Sequence, residues 1–216
     1  MTTDDMVSLI RARMVQIGAR LDEGMSLALT EAERRIGDLV RDGALHLRSL
    51  TMRAELRRYL VDAELPGWKV GGDQSKMGQL LLNDEDYGLS LRVLKERRHT
   101  YPGGVPVAGH NAARRAAWQE PLPLLGDVVS SAPVPPSTSL LLLWDLRNPH
   151  TIDDGYTLRA VHTLAAGIYG QPVPCDLSID IERGGELHTR LQFRGGSDPE
   201  DFFLVDVDEV EDQGGS

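Results

Sequence analysis

The sequence predicts an α+β fold in which two N-terminal amphipathic helices pack on a mainly antiparallel sheet of about six to eight strands. Over the first 60 residues the apolar positions recur every three or four residues, whereas beyond Gly67 they alternate with polar positions. The stretch Ser139 to Leu146 contains five consecutive large apolar side chains and is too short for a buried helix. This stretch therefore predicts a central strand that is covered on both faces.

The first helix is predicted over residues 3–23 and is expected to end at Gly24, because glycine commonly follows the last helical residue. Arginines lie between its apolar residues, which are Met6, Ile10, Met14, Ile17 and Leu21. Such a helix buries one face and leaves the other in solvent.

The second helix is predicted from Thr30, where Thr30 and Glu33 have the spacing of a capping box, to about Val61. Ile36 and Val40 belong to its apolar stripe and are the candidate partner-binding residues of the helical segment. The arginines between them are expected to be mostly solvated: Arg34, Arg41, Arg48, Arg57 and Arg58. The helical segment as a whole is assigned to residues 1–65.

A sheet domain is assigned to residues 66–210. Short strands are predicted at Trp68 to Val70, Leu80 to Leu82 and Leu89 to Val93. The segment 99–138 has no periodicity and holds seven of the twelve prolines, so it is predicted to be a long connection that is functional or mobile. Basic and aromatic residues in this connection are further candidates for partner binding: Arg114, Arg115 and Trp118.

After the central strand, residues 147–155 are predicted to form a loop, and 156–164 a strand with Leu158, Ala160 and His162 on one face. Two further strands flank the turn 183–186, and the parity of their apolar residues requires Ile181 to lie opposite Leu187. A three-residue loop centred on Gly184 gives that register. An acidic tail follows, and its residues 211–216 are predicted to be disordered.

The charge is unevenly distributed along the chain. Residues 121–216 carry 5 basic and 16 acidic groups, so a phosphate backbone would be repelled there. Nucleic acid is therefore a conceivable partner only through residues 1–120. The single cysteine, the acidic N-terminus and the absence of a long apolar run predict a cytoplasmic protein without a membrane segment.

The sequence contains no glycine-rich phosphate-binding motif, so no cofactor is expected. Oxygen and imidazole ligands for a divalent metal are available in and beside the loop 147–155, namely Asp145, His150, Asp153 and Asp154. A polar turn explains the same residues. Asp180 and Glu182 have the spacing of the carboxylates in metal-dependent nucleases, but Gly184 stands where a lysine would be expected.

His162 is a candidate general base because it lies on the apolar face of its strand, although a core histidine that is hydrogen-bonded to a carbonyl is the commoner case. Two functions follow as hypotheses. The first is a non-enzymatic interaction or regulatory protein that binds a protein partner or itself through the helices and the long loop. The alternative is a divalent-metal hydrolase, with a nuclease as one form, that uses the sheet and loop carboxylates.

Overall fold

A computed structural model describes residues 3–98, 100–109, 115, 118 and 138–191. Most of the segment 99–138 and the acidic tail lie outside these residues. The helices are α1 (Thr3–Arg41) and α2 (Leu45–Asp62). The strands are β1 (Trp68–Gly71), β2 (Leu81–Asp84), β3 (Leu89–Lys95), β4 (Thr138–Asn148), β5 (Thr151–Thr163), β6 (Cys175–Ile181) and β7 (Leu187–Leu191).

The strands form one sheet in chain order, β1 to β7. Every neighbouring pair is antiparallel except β3 and β4, which run parallel and place Leu91 beside Leu140. The predicted α+β fold, with two N-terminal helices and a mainly antiparallel sheet, is confirmed. The parallel pair requires the chain between β3 and β4 to cross from one end of the sheet to the other.

The central strand β4 is buried on both faces, as predicted. Leu140, Leu142 and Trp144 belong to the main hydrophobic cluster, which includes the inner faces of both helices. Leu141 and Leu143 point to the other face and pack in a second cluster. That second cluster includes residues of the β3–β4 connection, namely Val105, Ala108 and Trp118.

The predicted end of the first helix at Gly24 is wrong, because α1 continues to Arg41. Gly24 instead allows the helices to approach: a Cβ at this position would lie 2.5 Å from Cδ1 of Tyr59 on α2. The capping box is also wrong, since the Thr30 hydroxyl donates to the Ser26 carbonyl 2.9 Å away, one turn earlier in the same helix. The break between the helices lies at Gly43, whose φ of +102° ends α1.

Replacing Gly24 by alanine is expected to destabilise the protein by about 1–2 kcal/mol, because the overpacking cost exceeds the gain in helix propensity. The matched control is Gly37→Ala in the same helix. There the added Cβ meets only the ends of two long side chains, at 2.8 Å from Glu33 Oε1 and 3.3 Å from Arg41 Nη1, which can shift more easily than a ring, so a gain of up to about 1 kcal/mol is expected. Urea denaturation midpoints test the pair, and stabilisation by both substitutions would contradict the close helix contact.

The β6–β7 hairpin has the predicted register, with Ile181 opposite Leu187 and Asp180 opposite His188. Gly184 and Gly185 both have positive φ, and Glu182 donates its amide to the Glu186 carbonyl around the three-residue loop. The predicted loop 147–155 is too long, because β5 already begins at Thr151. A register shift between Leu146 and Asn148 accommodates the extra residues at the start of β5. Asn148 donates a hydrogen bond to Asp154 across this irregular part.

Candidate functional site

The end of the helical hairpin carries apolar residues from both helices. We call this surface the hairpin tip and define it as Ile36, Leu39, Val40, Leu45, Leu47 and Leu50. Val40 is only 4% exposed, and Ile36 is partly buried, so the two residues predicted to bind a partner are largely covered by the chain itself. Leu39 and Leu45 are instead 50% and 57% exposed.

Arg48 holds the hairpin tip against the sheet. The sequence predicts a solvated Arg48, and this is wrong, because the residue is buried. Its guanidinium donates to the Pro149 carbonyl in the β4–β5 turn at 2.8 Å and to Glu33 Oε2 on α1 at 3.3 Å. A charged donor that satisfies a backbone carbonyl and a carboxylate compensates part of its burial cost.

A cleft of about 800 Å³ lies where β5 and β6 separate. Only Arg159 to Thr163 of β5 pair with β6, while the first half of β5 pairs with β4 alone within the described chain. The turn after β6 is drawn to α1 instead, since Gly184 donates its amide to Asp22 Oδ2 at 2.7 Å. The cleft therefore follows from the attachment of the β6–β7 turn to the helix.

The Tyr156 hydroxyl donates its single hydrogen to Asp22, where the carboxylate oxygen Oδ1 and the backbone carbonyl oxygen, the latter at 2.7 Å, share it. Burial raises the pKa of Tyr156, and its hydrogen bond to Asp22 raises it further. The hydroxyl thus remains a donor throughout the ordinary pH range. Tyr156 and Asp22 fix the inner wall of the cleft.

The outer wall of the cleft contains a buried carboxylate between two arginines. Glu96 has a fully buried side chain and accepts hydrogen bonds from Nε of Arg98 at 2.5 Å and from Nε of Arg159. The terminal nitrogens Nη2 donate to Thr157 Oγ1 at 3.0 Å and to the Gly103 carbonyl at 2.5 Å, respectively. This group of charges is not predictable from local sequence patterns, because Glu96 and Arg159 are 63 residues apart in the chain.

The candidate metal ligands occupy separate positions. Asp153 and Asp154 line the cleft and accept hydrogen bonds from Thr151 and Asn148, while His150 is exposed in the β4–β5 turn. Asp145 lies 3.7 Å from Lys95, and burial raises its pKa. In the part of the chain that the structure describes, no three histidine, cysteine, aspartate or glutamate side chains group closely enough to hold a metal ion.

Asp180, in β6, and Glu182, just after β6, also line the cleft. Asp180 is partly buried and Glu182 is exposed. They line the same cleft as Asp153 and Asp154 without forming a metal-binding group within the described residues.

His162 is 1% exposed and its Nδ1 lies 2.6 Å from Asp176 Oδ1. A register shift at the end of the β5–β6 pairing places Asp176 beside the imidazole, although Asp176 lies one residue before the partner of His162, which is Leu177. Next to it, burial raises the pKa of the Cys175 thiol to about 11. The histidine is thus a core residue with a carboxylate partner, and the neighbouring thiol stays protonated near neutral pH.

The candidates in the β3–β4 connection differ in exposure. Arg114 lies outside the described residues, and Arg115 is exposed. Trp118 is fully buried, and its indole Nε1 donates to the Pro106 carbonyl at 3.1 Å. Trp118 therefore attaches the connection to the outer face of the sheet and presents no free aromatic surface.

Comparisons with protein-family models, with curated proteins and with solved structures gave no match to this chain. Among the described residues, no helix is both long enough and apolar enough to cross a membrane.

Proposed function

We propose that the protein is a non-enzymatic interaction protein that associates with a second copy of itself through the hairpin tip. The observation that supports this proposal is the pair of exposed leucines, Leu39 and Leu45. Leu39 lies in the last turn of α1 and Leu45 begins α2, and the Ala44 amide donates to the Leu39 carbonyl at 3.0 Å across the break. The short break therefore places two half-exposed leucines at the same end of the helical hairpin.

The other exposed apolar residues on α1 do not form a comparable surface. Val15, Leu27 and Leu39 follow each other at intervals of twelve residues. At 3.6 residues per turn, each is rotated by about 120° from the previous one, so the three point in different directions. Single exposed apolar residues are normal on protein surfaces, whereas adjacent ones favour a contact surface.

The double variant Leu39→Asp with Leu45→Asp tests the proposal. We expect the native chain to be oligomeric and the variant to be monomeric, because charges at a contact surface must be desolvated without partners. The melting temperature should change little, since both side chains are already half exposed in the single chain. The measurement is native mass by light scattering over a range of protein concentrations.

The matched control is Val15→Asp with Val61→Asp, because both valines are 60% exposed and lie on the same two helices. The control should keep the native mass. A monomeric native chain, or equal dissociation of both double variants, would refute association through the tip. Val40→Asp is unsuitable as an interface probe, because at 4% exposure it would first unfold the hairpin.

Two further parts of the proposal, a role for the long connection in partner binding and a location in the cytoplasm, rest on more general observations. In the long connection, Arg115 is exposed, so its side chain is available for contact with a protein partner. A single cysteine forms no disulfide within the chain, so the chain needs no oxidising compartment, which favours the cytoplasm. The metal-dependent hydrolase is less well supported, since its four cleft carboxylates form no metal-holding group within the described residues.

A further inference from the structure

The arginine pair in the cleft, Arg98 and Arg159, has hydrogen-bonding capacity that the described chain does not use. Each guanidinium donates through Nε to Glu96 and through Nη2 to Thr157 or Gly103. The Nη1 groups make no hydrogen bond within the described residues. The side chains are 49% and 21% exposed, and both residues line the cleft.

The pair is held in a fixed arrangement. Glu96 lies behind it with no exposed side-chain surface, and its one negative charge is shared by two positive charges. Gly104 packs directly over this group, since a Cβ there would lie 3.3 Å from Glu96 Oε2 and 3.4 Å from Arg159 Nη2. Guanidinium groups that are already oriented lose little entropy when they bind a further acceptor.

The carboxylates that line the same cleft limit what can bind. Asp153 and Asp154 lie at least three residues from Thr157 along β5, which corresponds to roughly 10 Å, about one screening length at physiological salt. Asp180 lies directly opposite Arg159 in the β5–β6 pairing, so it adds negative charge close to the arginines. A compact anionic group at the arginines is therefore favoured over a ligand with negative charge along its whole length.

We propose that the arginine pair binds an oxyanion, a carboxylate or phosphate group, of a ligand that occupies the cleft. Guanidinium groups match the oxygens of both anions through charged hydrogen bonds. This binding site is separate from the hairpin tip and does not depend on self-association. It also differs from a metal site, since the binding groups are cations.

The test is a titration of the full chain, followed by amide and arginine Nε resonances, with inorganic phosphate in one arm and acetate in the other. Sodium chloride at equal ionic strength is the reference. We expect saturable shifts at Gly103, Gly104 and Thr157 in at least one arm, and the arm with tighter binding identifies the anion class. Absence of saturable shifts in both arms would overturn the proposal.

Arg98→Gln is expected to weaken binding by roughly 10- to 100-fold, the loss that corresponds to one charged hydrogen bond. Arg98→Lys keeps the charge and should recover only part of the affinity. The control is Arg183→Gln. Arg183 lies in the β6–β7 turn and lines the same cleft, but it makes no hydrogen bond or ion pair with Glu96 within the described residues. Equal weakening by Arg183→Gln and Arg98→Gln would show general attraction by the cleft and would refute a site at the arginine pair.

Discussion

Replacing Gly185 by alanine is expected to lower the free energy of unfolding by about 3–5 kcal/mol, by two independent mechanisms. Its φ of +87° is strained for any residue with a Cβ. In addition, a Cβ would lie 2.1 Å from the Ala19 amide nitrogen and 2.5 Å from the Gly18 carbonyl carbon, both of which are helix backbone atoms. Backbone atoms cannot move aside as a flexible side chain can, so the turn must leave α1.

Gly184 provides the control for this substitution. Its φ is +85°, almost the same as that of Gly185, but nothing lies within 4 Å of a Cβ built there. Gly184→Ala should therefore cost only the backbone strain, about 1–2 kcal/mol. Chemical denaturation of both variants separates the strain from the contact, and equal losses would show that the turn does not pack on α1.

Replacing Glu96 by glutamine is expected to cost about 3 kcal/mol, because it leaves two guanidinium groups beside each other without a counter-charge. Arg159 is mostly buried, whereas Arg98 is about half exposed, so solvent screens part of the repulsion. The amide keeps the shape of the side chain, which limits the effect to charge and hydrogen bonding. The measurement is the urea dependence of unfolding at neutral pH.

Glu31 is the matched control, because it also pairs with two arginines, Arg34 and Arg35, both at 2.6 Å. Their hydrogen bonds hold the pKa of Glu31 at about 2, below its ordinary value of 4.5. The contribution of Glu31 to the free energy of unfolding is therefore complete above pH 4.5 and is lost as the pH falls through about 2. Glu31 is thus fully ionised at neutral pH. On the solvated helix surface, Glu31→Gln should change stability little. A loss as large as that of Glu96→Gln would contradict the effect of burial.

The parts of the fold that were predictable from sequence depend on periodicity over many residues. The two-sided burial of Leu140 to Trp144 and the pairing of Ile181 with Leu187 both follow from alternation along strands, which only one register satisfies. The errors arose from single-residue signals. Gly24 and Thr30 have the residue types of helix ends, but packing against Tyr59 and a bond within the helix determine their conformations.

The cleft was only partly predictable, for a related reason. Asp153, Asp154, Asp180 and Glu182 were identified as candidates, and all four line it. The residues that shape it, Glu96 with its arginines and Asp22 with Tyr156, are joined across 63 and 134 positions of the chain. Such pairs carry no local pattern, because the fold brings them together only after the strands have been arranged.

The order of elements along the chain also sets the order in which they become available during synthesis. Helix α1 is made first and contacts β2 through Arg13 and Asp84, but its more extensive contacts with the sheet are to β5, β6 and β7, which are made last. At about 5–20 residues per second, the 120 or so residues between Leu29 and the start of β5 take roughly 6–24 s to synthesise. Helix α2 can cover part of α1 during this time. The part of α1 that packs on β5, β6 and β7 is uncovered by them until they emerge, and apolar surface exposed in this way favours chaperone binding to a nascent chain.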